Sequence, residues 1–169
     1  VFIKLSEKEM KFLQMLAHGR CSIKNLDNPN RPSQMVYGNT HLEADLIGIM
    51  GEYMVSKALK VPFDTSIHVE GDGQVMDLLY GPYQLQVKST KYKTGKMLFF
   101  RKEELKADIF ILCICITNQA LVEIAGYITK EDALIKGVNM DLGRGMRFVI
   151  EQRHLKPITE LEQVSRDII

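Results

Sequence analysis

The chain has almost no net charge. It carries 22 Lys and Arg against 21 Asp and Glu, which leaves +1 at neutral pH. A whole-molecule field that would draw in nucleic acid is therefore absent, and any such binding has to come from a local patch. No apolar run approaches the ~20 residues a membrane-spanning helix needs. The first residues lack the charged-then-apolar layout of a secretory signal, so a cytoplasmic or nucleoid-associated protein is expected, not a secreted one. Cysteine is sparse and odd in number: Cys21, Cys113 and Cys115. That excludes a disulfide framework, and the lack of any Cys-x-x-Cys pair or Cys/His cluster leaves no zinc site. There is no Gly-x-Ser-x-Gly, no phosphate-gripping P-loop and no dinucleotide Gly-x-Gly-x-x-Gly between strand and helix. What remains is 169 residues, 46% hydrophobic and 25% charged, the profile of one ordinary globular domain with a sizeable core.

Local patterns set the elements. Ser6 and Glu9 form a capping box, and Met10, Leu13, Leu16 and Ala17 follow at helical spacing, with Gly19 as the expected stop. Residues 21–38 read as a loop or arm, broken by Pro29 and Pro32. A stronger helix is expected from Thr40 to Leu59, with Thr40 and Glu43 as its cap and Pro62 just beyond. Strands are expected at 66–70, 74–79 and 84–90, joined by turns at Gly71-Asp-Gly73 and Gly81-Pro82. Residues 91–96 read as a loop, 97–100 as a short strand and 101–106 as a helix. Residues 108–117 form a near-continuous apolar run, the pattern of a strand covered on both faces. Cys113 and Cys115 share one face of it and read as core. A strand at 121–128, a Thr129-capped helix ending near Gly137, an edge strand at 146–150 and a terminal helix at 158–164 complete the order. The fold class is α/β, a mixed central sheet flanked by helices. Residues 1–38 form an N-terminal helix and loop extension, and residues 39–169 the core domain.

The chemistry concentrates in Asp77-Leu-Leu-Tyr-Gly-Pro-Tyr-Gln-Leu-Gln86-Val87-Lys88. Strand alternation puts Gln84, Gln86, Lys88 and Thr90 on one face and Leu85, Val87 and Ser89 on the other. A carboxylate, an amide oxygen and an ammonium group brought together by a hairpin suit a hard divalent cation and a phosphate. Lys88, Lys91, Lys93, Lys96, Arg101 and Lys102 cluster around Tyr92. Arg144, Arg147, Arg153, His154 and Lys156 form a second basic group. Each patch is able to hold phosphates, and each is equally readable as a solvated loop. Asp77 is also readable as a turn cap, Gln86 as a solvated strand residue, Lys88 as an edge-strand guard and Glu52 as a helix-surface carboxylate.

In order and placement these residues resemble the PD-(D/E)XK nuclease superfamily. Asp77 fits its acidic position, Gln86-Val87-Lys88 its (Glu/Gln)-x-Lys, and Glu52, within Gly51-Glu-Tyr-Met-Val-Ser-Lys57, its helix carboxylate. The resemblance covers roughly residues 40–128 and implies a restriction-endonuclease-like core (αβββαβ). It implies a Mg²⁺-dependent endonuclease, with Mn²⁺ as a substitute, that hydrolyses DNA phosphodiester bonds in homing, restriction, repair or junction resolution. The DNA would be double-stranded or branched, and the protein a homodimer or higher homo-oligomer. Asp77, Gln86, the Val87 carbonyl and Glu52 would hold the metal. Lys88 would orient the attacking water or stabilise the transition state. Gln84, Thr90, Lys91, Lys93, Lys96 and Arg101 would contact the nucleic acid. Gln86 departs from the more usual Glu and brings no charge to a metal. It is the feature that favours the alternative, a catalytically inactive nucleic-acid-binding or interaction module on the same fold.

Overall fold

In the computed structural model, which describes residues 2–27, 40–66, 76–143 and 145–161, the chain builds three layers. Two long helices, α1 (Glu7–Asp27) and α2 (His41–Leu59), cover one face of a five-stranded sheet. That sheet has the order β1 (Ile3–Lys4), β6 (Leu121–Thr129), β5 (Ile109–Ile116), β3 (Tyr83–Thr90), β2 (Leu78–Tyr80). Only β3 and β5 run parallel, and the other pairs are antiparallel. The opposite face is covered by a second, three-stranded sheet with the order β4 (Met97–Phe99), β8 (Met146–Ile150), β7 (Val138–Asp141). The short helix α3 (Lys130–Lys136) packs beside it through Ala133.

This layering explains the composition of β5. Ile111, Cys113 and Cys115 face the helices, and Phe110 and Leu112 face the second sheet. Every residue from Ile109 to Cys115 is buried, so the strand tolerates no polar alternation. Burial pushes the Cys115 thiol up to about 12 and the Cys113 thiol well above its usual value. Both cysteines are core residues, as expected, and their burial disfavours the thiolate.

The caps form as read. Ser6 Oγ accepts the Glu9 N–H at 3.3 Å, and the Glu9 carboxylate accepts the Ser6 N–H at 2.7 Å. Thr40 Oγ1 accepts the Glu43 N–H at 3.2 Å, and Thr129 Oγ1 the Asp132 N–H at 3.2 Å. The stop at Gly19 does not. Helix α1 runs on to Asp27, because the ~1 kcal/mol cost of a mid-helix glycine is outweighed by burying Cys21 and anchoring Arg20. The expected loop therefore begins later, and its remainder, 28–39, lies outside the described residues. So do the expected turn at 71–73 and, apart from Ser66, the expected strand at 66–70.

Other differences are local. Residues 102–104 make one 3-10 turn instead of a helix. The strand at 146–150 is the centre of its sheet, not an edge, because β7, unpredicted, pairs along it. Asp77 stands immediately before β2, in a bend, not near a strand's end. One mixed sheet was expected, and the described residues form two.

Candidate active site

Asp77 is fixed to β3 by both its backbone and its side chain. Its N–H donates to the Leu85 carbonyl at 2.8 Å. Its Oδ2 accepts the Val87 N–H at 2.6 Å. The carboxylate thus lies against the peptide between Gln86 and Lys88. The Val87 carbonyl leaves the same edge of the strand as its N–H. The turn that makes this possible is Gly81-Pro82, where Gly81 takes φ 57° and lets Leu78 register with Leu85.

Gln86 and Lys88 point away from the helices, toward the second sheet. The Gln86 Oε1 is buried and has no hydrogen-bond partner. An unpartnered buried acceptor of this kind costs stability, commonly ~1–3 kcal/mol. The Lys88 ammonium sits 5.0 Å from the centroid of the Phe99 ring. Burial lowers its pKa, and the carboxylates of Asp77 and Glu104 oppose that shift. Lys88 is therefore a charged group in poor solvent, facing two acids.

Glu104 had no place in the sequence reading. It comes from the 3-10 turn after β4, and its Oε2 accepts the Phe100 N–H at 3.1 Å. Asp64 was missed as well. With Pro62, Met76 and Leu79 it lines the same small pocket of about 250 Å³ as Asp77. Its carboxylate caps the Ser66 N–H at 2.8 Å. Neither acid carries a spacing signal, since both reach the site from turns whose paths the residue pattern does not encode.

Glu52 belongs to a neighbouring group. Its Oε2 pairs with Arg20 Nη1 at 3.2 Å, and Arg20 Nη2 donates to the Asp64 carbonyl at 3.0 Å. Arg20 thus ties Glu52 to the segment that carries Asp64. Gly51 beside it packs against Ser89 and Cys113, on the helix-covered face of the sheet.

The candidate nucleic-acid residues divide. Gln84 is exposed on the strand face of Gln86 and Lys88, and its N–H donates to Asp108 Oδ2 at 2.8 Å. Thr90 Oγ1 accepts the Tyr92 N–H at 3.2 Å. Lys91 rides over the Tyr92 ring at 5.7 Å, and Lys96 pairs with Glu151 at 3.2 Å. Lys93 turns to the Phe2 ring at 5.8 Å, and Arg101 is exposed. Two members of the second basic group are ion-paired. Arg153 pairs with Glu151 at 2.7 Å, and Lys156 with Asp132 at 2.9 Å.

The groups here that could hold a cation are all oxygens: the Asp77 carboxylate and, on the strand it bonds, the Gln86 amide and the Val87 carbonyl. That donor set fits Mg²⁺ or Mn²⁺, and the orphaned Gln86 Oε1 is the atom such an ion would satisfy. Among the described residues no group of three or more His, Cys, Asp or Glu side chains forms a metal cage; Glu70 and Asp72, the sequence's nearest substitute ligands to Asp77, lie outside them. Nor is any helix among the described residues long and apolar enough to cross a membrane. Comparison with known proteins returns no match, whether to a family model, a curated protein or a solved structure.

Proposed function

We propose that the protein is a divalent-cation-dependent endonuclease of the PD-(D/E)XK type, hydrolysing phosphodiester bonds of double-stranded or branched DNA. The observation that carries this reading is the buried, partnerless Gln86 oxygen on the strand whose Val87 N–H clamps Asp77 and whose Lys88 is desolvated. A fold that leaves an acceptor unsatisfied and a lysine half-solvated next to one another gives up stability, and such arrangements cluster where chemistry is done.

Asp77, Gln86 and the Val87 carbonyl are the residues that would hold Mg²⁺ or Mn²⁺. A bound ion would lower the pKa of its water and offset charge on the phosphoryl oxygens. Asp77 contributes the one full negative charge, and its bond to the Val87 N–H fixes its orientation. Gln86 contributes a neutral oxygen, so affinity for the ion is weaker than with a glutamate. Lys88 is placed to meet the charge that grows on the scissile phosphate, and its poor hydration strengthens that interaction. Glu52 takes an outlying role, because Arg20 already balances its charge. Gln84, Thr90, Lys91, Lys96 and Arg101 would grip flanking phosphates, with Lys93 further out. Two copies acting together would cut both strands.

The test is cleavage of supercoiled plasmid and of branched duplex in Mg²⁺ or Mn²⁺. Native protein is expected to nick or linearise the DNA. Asp77→Ala and Lys88→Ala are expected to lose at least ~100-fold in rate. Full cutting by both variants would remove this site from the reaction. Intact DNA binding with no cutting by the native protein on any substrate would favour a binding module.

A further inference from the structure

We propose that the cleft beside Lys88 is a slot for a single nucleotide lifted out of the duplex. The inference rests on the nuclease reading and names the form of DNA that the site takes.

The cleft, about 270 Å³, opens between the first turns of α2, the end of β3 and the 91–96 loop. Its walls are apolar, from Ile47, Leu98 and Leu112. Three lysines, Lys88, Lys91 and Lys96, belong to the same lining. Each is oriented by a neighbour: Lys88 over Phe99, Lys91 over Tyr92, Lys96 against Glu151. Tyr92 also lines the cleft, with 54% of its surface exposed.

The combination selects its ligand. A bare phosphate gains nothing from aliphatic walls, and a wholly apolar molecule gains nothing from three lysines. A nucleotide presents both a flat, weakly polar ring and an anion. Duplex DNA keeps its rings stacked and shows a protein only phosphates and groove edges. A base reaches an apolar slot only after leaving the stack, and leaves it most readily where it is mismatched, bulged or already single-stranded. An exposed tyrosine at such a slot is a stacking surface for that base. Lys88 joins the slot to the chemistry: it lines the cleft and directly follows Val87, whose N–H holds the Asp77 carboxylate. A phosphate held at Asp77 would thus direct its neighbouring nucleotide toward the cleft.

The experiment measures binding with a chelator present, so that no hydrolysis is needed. A short duplex carrying 2-aminopurine as a single-base bulge is compared with the same duplex fully paired. The bulged DNA is expected to bind about ten-fold tighter, with a change in 2-aminopurine fluorescence on binding. Ala44→Leu, which fills the cleft, is expected to abolish the preference. Tyr92→Ala, at an exposed position that leaves the fold intact, is expected to abolish the fluorescence change. Equal affinity for the two DNAs, or a preference unmoved in both variants, would overturn the slot. Plasmid cleavage in Mg²⁺ by the same preparations separates the two claims. Cutting without any bulge preference rejects the slot and leaves the nuclease. Bulge preference without cutting supports the slot and rejects the nuclease.

Discussion

Lys88 shows at the scale of one residue how stability and function pull apart here. Its ammonium is buried over Phe99, and burial outweighs the help of Asp77 and Glu104. Its folded pKa lies below the ordinary lysine value of 10.5. Below both values the fold carries a poorly solvated charge, and that cost fades as pH rises from the folded value toward the unfolded one. Lys88→Met is accordingly expected to stabilise the protein at neutral pH, by ~1 kcal/mol in urea melts, while cutting is lost. The advantage of the variant should shrink as pH rises from the folded value toward 10.5. A variant less stable than the native protein at neutral pH would mean that Lys88 is a structural group. The residue pattern showed Lys88 and Gln86 on one strand face, because alternation is a rule of strand geometry. It did not show Glu104 or Asp64, whose approach depends on the course of turns.

Among the elements, α2 is the piece on which the site's strand rests. A Cβ on Gly51 would stand 2.1 Å from Ser89 Oγ and 3.1 Å from the Cys113 Cβ. Gly51→Ala is therefore expected to cost ~1–3 kcal/mol in thermal or urea melts, with part recovered by adding Ser89→Gly. A neutral Gly51→Ala would mean that the helix sits farther from β3. The α1–α2 junction has its own signature. Lys57, then Ser6, hold the Glu9 carboxylate down to about 2, and Tyr53 Oη donates to it at 2.8 Å. A depressed carboxylate stabilises the fold above its unfolded value of 4.5, and that stabilisation is lost as pH falls toward 2. Discounted for solvent, it amounts to ~1 kcal/mol. Acid denaturation of Glu9→Gln should begin from a lower stability at pH ~6 and show a shallower fall below pH ~4.5. Both helix starts were legible because capping is local. The end of α1 was not, since the burial of Cys21 and the grip of Arg20 are long-range effects.

Across the whole molecule two cores meet at β5, and the site lies on the side of the second. Phe110, fully buried against Phe99 at a ring-centroid distance of 5.3 Å, sits in the layer that also supports Lys88. Phe110→Ala should cost ~3–5 kcal/mol in urea unfolding. The apolar run of β5 announced a strand covered on both faces. It did not announce that the second cover is a separate sheet, because β7 is too short and too exposed to carry a pattern. Gly126, at φ 147° with the Lys156 carbonyl 2.6 Å from where a Cβ would stand, marks where β6 receives the segment at 155–156. Its role likewise appears only once the chain is folded. Direct Mn²⁺ binding, followed by calorimetry or electron paramagnetic resonance, tests the whole account with no need for a substrate. One site is expected in the native protein, weakened at least ~10-fold by Asp77→Asn and tightened by Gln86→Glu. Binding indifferent to both substitutions would contradict it.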